Sequence, residues 1–211
     1  FDGVPQSSIS YSLPAGGVLK LETDGSGSPQ TGYATVASEN PTSQITGTII
    51  YTINGFEVSV PSSLLSPAHH VFAERNSTAD TAIALANPGN SDASIAMLLL
   101  DQHGQTVGQT TINILAGAQL AQFIDQIFDG ITSHFHGSVH AQSDREFAMV
   151  GFRQKTSGSL TTLSSSSTAF STDNGPQGED PCGNALGNGD EIIQGPPGPD
   201  GADRDNPFRS L

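Results

Sequence analysis

Thr81-Ala82-Ile83-Ala84-Leu85-Ala86 runs into Asn87-Pro88-Gly89-Asn90, and Ser94-Ile95-Ala96-Met97-Leu98-Leu99-Leu100 runs into Asp101-Gln102-His103-Gly104. Each is a short apolar run stopped by residues that favour turns: Asn and Asp bond their own backbone, Pro presets φ, and Gly accepts positive φ. Runs of this length between such stops read as β-strands, and two in succession read as a hairpin.

The pattern continues in both directions. Downstream, Thr106 to Leu115 returns from the hairpin, and strands are expected at Phe135 to Ala141, Phe147 to Gln154 and Leu160 to Leu163. Leu120, Phe123, Ile124, Ile127 and Phe128 recur at helical spacing, which predicts one short helix over Ala118 to Phe128. Upstream, Val71 to Glu74 is a short strand after a Pro/Ser-rich connection, Pro61 to Pro67. Ile45 to Ile53 is a strand, and the Asn54-Gly55 that follows is a strong hairpin signal. Further strands are expected at Tyr33 to Ala37, Val18 to Leu21 and Ile9 to Leu13, with a turn at Pro14-Ala15-Gly16-Gly17.

The two halves share an order of features. Leu13-Pro14-Ala15-Gly16-Gly17 with Leu19 matches Ile114-Leu115-Ala116-Gly117-Ala118 with Leu120. Gly32 to Glu39 matches Gly137 to Asp144. The second copy has two further strands upstream, Thr81 to Ala86 and Ser94 to Leu100, for which the first copy shows no counterpart. The first copy is therefore expected to leave an apolar face and an open sheet edge, which another strand can fill. The donor expected from the sequence is Ser159 to Ser171 or the stretch around Ile192 and Ile193.

These readings give an all-β chain: antiparallel β-sandwich(es) built from two related repeats, one short helix and an extended C-terminal tail. Residues 1–60 form the first repeat, 68–170 the second, and 171–211 a Gly/Pro/Asp-rich tail. That tail holds too little apolar surface to order itself alone in water.

The A-L-A-N-P strand end, the Asp101-Gln102-His103-Gly104 hairpin and the Leu120-Ala121-Gln122-Phe123 stretch resemble a repeated β-sandwich domain common in large secreted bacterial proteins. The resemblance covers roughly residues 1 to 165. It implies an extracellular β-sandwich and carries no catalytic residues with it. Gly195-Pro196-Pro197-Gly198-Pro199-Asp200-Gly201-Ala202-Asp203 resembles three collagen triplets, too few for a stable triple helix and better suited to an extended linker.

Composition narrows the function. The net charge is −14 with seven Lys and Arg, so phosphate backbones and anionic membranes are repelled and nucleic acid is not an expected partner. No run approaches 18 apolar residues, so no membrane span is expected. The chain opens at Phe1-Asp2-Gly3 without Met, which reads as a processed form or a fragment. The single cysteine, Cys182, cannot form an internal disulfide. Phe1, Cys182, Ile192 and Ile193 are candidate intermolecular contacts.

Candidate chemistry is sparse. His134, His136 and His140 share one strand face, but His136 and His140 lie about 13 Å apart by strand rise. They read as a polar solvent face, and His69-His70 as a loop. Asp190, Glu191, Asp200, Asp203 and Asp205 offer oxygen ligands for Ca²⁺ between chains, without a recognisable calcium loop; no cofactor is expected. Asn76-Ser77-Thr78 is an N-glycosylation sequon. No nucleophile elbow or paired-carboxylate pattern is present, so no enzyme activity is expected. The expected function is a non-catalytic extracellular structural protein. It would be a subunit of a surface filament or similar assembly, joined to other copies by strand addition and tail contacts. The alternative is a secreted adhesion or glycan-binding module, although glycan stacking favours Trp, which is lacking, and Tyr, of which there are three.

Overall fold

Thr81, Ile83 and Leu85 are buried while Ala82, Ala84 and Ala86 are only partly so, the period-two alternation of a strand packed on one face. In the computed structural model these residues lie in β4 (Ala79–Ala86). The structure describes residues 8–23, 31–40, 42–43, 45–53 and 55–167. The other described elements are β1 (Thr48–Ile53), β2 (Phe56–Pro61), β3 (Ser66–Arg75), β5 (Ala93–Asp101), β6 (Thr106–Ile114), β7 (Gln119–Phe123), α1 (Ile124–Ile127), β8 (Phe135–Lys155) and β9 (Leu160–Leu163). All strand pairs are antiparallel.

β8 organises the larger sheet. Phe135–Ala141 and Phe147–Gln154, expected as two strands, are one 21-residue strand. Its first half pairs with β3 on one side and β5 on the other. Its second half pairs with β4 and β9. β6 lies outside β5, and β7 outside β4. Past β9 the chain reaches β3, where His70 and Ser166 exchange backbone hydrogen bonds of 2.9 Å. The curled sheet encloses one core, with Ile83 and Leu85 from β4, Ile95, Met97 and Leu99 from β5, and Val139, Phe147 and Met149 from β8. Each such side chain contributes about 1.5–3 kcal/mol on full burial.

Asn87 explains the Asn-Pro stop after β4. Its side chain is buried, and Nδ2 donates to the carbonyls of Ser91 at 2.8 Å and Ile114 at 3.0 Å. Its Oδ1 accepts from the Gly89 amide. One side chain thus ties the β4–β5 turn to the end of β6.

The expected helix over Ala118 to Phe128 is largely a strand. Gln119–Phe123 pairs with Ala82–Ala86 as β7, and α1 is only four residues long. A partner strand on the edge of β4 outweighs helical periodicity, because each residue added to the ladder satisfies backbone groups that a short isolated helix leaves open.

The first part of the chain also departs from expectation. Ile9 to Leu13, Val18 to Leu21 and Tyr33 to Ala37 form no strand among the described residues. The turn at Pro14–Gly17 is present, closed by a 2.8 Å bond from the Gly17 amide to the Pro14 carbonyl. β1 and β2 pair as a hairpin, with Gly55 at φ +80°; Asn54 lies outside the described residues. β1–β2 is a separate two-stranded sheet, and β1 pairs only with β2 among the described residues.

Candidate interaction surface

The β1–β2 hairpin carries apolar side chains on both faces. Alternate residues of β1 point to opposite faces, yet Ile49 and Ile50 are 52% and 63% exposed, and Ile53 and Phe56 are exposed as well. Val58 alone in the hairpin is buried. Leu64, just beyond β2, is 78% exposed. β2 is anchored to the main sheet, since the Thr162 hydroxyl donates to the Ser59 carbonyl at 2.6 Å. Ser63 and Ser165 both donate to the Met149 carbonyl, at 3.1 and 2.7 Å. The hairpin is thus fixed on its β2 side, while the far edge of β1 pairs with no described strand. Exposed apolar surface next to a free edge is the chemistry of strand addition.

The histidines are structural where they are buried. His69 and His70, read as loop residues, lie inside β3. His69 is buried, packs edge-on against Phe147 at 4.8 Å between ring centroids, and bonds the Phe147 carbonyl at 2.8 Å through Nε2. Burial holds its pKa below the ordinary value, outweighing that hydrogen bond. His140 faces His70 across the β3–β8 pair, with ring centroids 4.2 Å apart. Burial, then the neighbouring His70, pushes its pKa down to about 4. His136 pairs with Gln102 and stands opposite Glu74, and His134 is exposed ahead of β8. No group of three or more metal-binding side chains occurs among the described residues.

Charged groups cluster where β3 meets β4. Arg153 pairs with Glu74, and Arg75 pairs with Asp125 and, at 3.8 Å, with Asp80. Burial raises the Asp80 pKa, and Arg75 offsets part of that. Asn76 of the sequon forms the β3–β4 turn: its Oδ1 accepts from the Thr78 amide and hydroxyl, both at 2.8 Å, and its Nδ2 donates to Glu74. Asp101 holds the β5–β6 turn by accepting from the His103 and Gln105 amides, and those bonds lower its pKa. Phe1, Cys182, Ile192, Ile193 and the candidate Ca²⁺ carboxylates lie outside the described residues.

The sequence led to an open edge somewhere in the first part, and the sheet order places it at β1, which pairs with β2 alone among the described strands.

No family model matches the chain, and no curated protein matches it. Among solved structures, the chain is similar to one described as Anabaena sensory rhodopsin transducer, at 13% identity and a TM-score of 0.36, over 42% of this chain and 96% of that one. A likeness of that size carries no conclusion about this chain. No helix among the described residues is long and apolar enough to cross a membrane.

Proposed function

We propose that this chain is a non-catalytic extracellular structural protein, a β-sandwich subunit built from two related repeats. In this reading it belongs to a surface filament or similar assembly, joined to its neighbours by strand addition at β1 and by contacts of residues 171–211. The observation that carries the reading is the open edge of β1 with Ile49 and Ile50 exposed on its opposite faces. A lone two-stranded hairpin is marginal in water, and a third strand is what such a unit lacks. The small share of charged residues, 13%, the Ser/Thr-rich loops and the resemblance to repeated secreted domains favour an extracellular setting. The commitment of His69, Glu74, Arg153 and Asp101 to packing, ion pairs and turns favours a structural role.

Negative-stain electron microscopy and light scattering on the native material, at several concentrations, test this. Ordered polymers that break up when residues 171–211 are removed support it. A folded monomer at every concentration, indifferent to that deletion, contradicts it and shifts the reading to an adhesion module.

A further inference from the structure

The part of the chain before residue 64 behaves like the second part with three strands taken away. Among the described residues, β6 pairs only with β5, and β7 only with β4. The first half of β8 pairs with β3 and β5. By the internal match, the counterparts of these three stretches are residues near Ile9–Leu13, Val18–Leu21 and Tyr33–Ala37. None of them forms a strand among the described residues. The second half of β8 pairs with β4 and also with β9. Its counterpart β1 has the matching partner, β2, and that pair forms. Among the described residues, strands appear in the first part only where the partner lies within it.

The local geometry agrees. Gly16 has φ +73° and Gly117 φ +72°, each in a turn closed by the same type of backbone bond. A Cβ added to Gly137 would fall 1.9 Å from the Leu100 carbonyl oxygen of β5, whereas one added to the matching Gly32 meets nothing within 4 Å. Ile114 and Ala141 are buried, but the matching Leu13 and Val36 are exposed. The same sequence pattern thus has opposite burial in the two parts.

We infer that the described residues 8–23, 31–40, 45–53 and 55–63 form a docking surface for a three-stranded unit built like Ser66–Asp101. Its β4-like strand adds antiparallel to the free edge of β1, and its β5-like strand lies against Gly32. The expected partner segment has inward Ala, Ile and Leu at alternate positions. A second copy of this chain can offer its own Ser66–Asp101 only by uncovering its own β6, β7 and β8. The occupant is therefore a unit of the same design outside residues 8–167. This deepens the assembly reading and rests on it by naming what adds to β1.

The test joins an extra copy of residues 66–104 through a flexible linker to the start of the full chain and follows amide exchange by mass spectrometry. Protection at residues 9–13, 18–21, 33–37 and 48–53 should rise by at least a hundredfold. Gly32→Val should abolish that gain, yet leave the melting of the unmodified chain unchanged. Exchange that stays fast in these stretches while residues 66–163 remain protected would overturn the inference, as would a gain that survives Gly32→Val. If deleting residues 171–211 from the unmodified chain exposes amides of β1, the tail is the occupant and the inference fails. Scattering on the unmodified chain separates the two ideas: protection gained without any assembly keeps the docking surface and sinks the filament reading, and assembly without gained protection does the reverse.

Discussion

Gly137 of β8 passes so close to the Leu100 carbonyl of β5 that a Cβ would stand 1.9 Å from that oxygen. Backbone lies on both sides of the contact, since Gly137 also pairs with Ala73 of β3, and neither neighbour can move without breaking its ladder. Gly137→Ala should therefore destabilise the fold by roughly 2–4 kcal/mol, in the range of strained core substitutions. Gly32→Ala, in open space, should leave the melting temperature within about a degree or two. Thermal melts of the two variants side by side check this contrast.

Asn87→Ala should cost roughly 2 kcal/mol or more, because the Ile114 carbonyl and the Gly89 amide lose a buried partner. Asn87→Asp should be at least as harmful, since a carboxylate brings negative charge against carbonyls that now receive an N–H. Chemical denaturation measures both.

Phe147→Ala removes a ring that fills the core at the middle of β8 and packs on His69. Its expected cost is about 3–5 kcal/mol. Burial lowers the His69 pKa, and the cavity would admit water beside it, so the pKa should move back towards the ordinary value. Histidine titration by NMR reads that shift in whatever fraction stays folded.

Stability should fall on acidification from neutral pH towards pH 4. His69 and His140 both have folded pKa values below those of the unfolded chain, so between the two values the unfolded state binds more protons. The contribution of each is present above about pH 6.5 and lost as pH falls through that window. His140, whose pKa is pushed down to about 4, contributes to that loss, screened by the solvent that reaches it. His70 faces His140 and helps hold its pKa down, so His70→Gln should shrink the loss. Denaturation midpoints at pH 7.5, 6 and 4.5, with and without His70→Gln, decide this.

Much of residues 66–163 was legible from local chemistry. The Asn87-Pro88 stop and the Asp101 turn each carry their mechanism in the residues themselves. What local pattern could not supply was pairing. Leu120 and Phe123 keep helical spacing, yet β4 draws them into a strand. Ser143 to Glu146 look like a loop but continue β8, because β5 and β4 hold the strand on either side of them. Ile9 to Leu13 alternates like a strand and forms none among the described residues, since alternation gives a face but not a neighbour. The histidines were misjudged for the same reason: His69 and His70 are polar in sequence, and only the position of β3 against β8 shows that one of them belongs to the core.

The most direct test of the central claim is amide exchange across residues 8–63, compared between the native assembly and the dissociated chain. The account predicts that Thr48–Ile53 and the stretches 9–13, 18–21 and 33–37 become strongly protected in the assembly and exchange rapidly once it is dissociated. Equal exchange in both states would mean that nothing adds to β1, and would contradict assembly by strand addition.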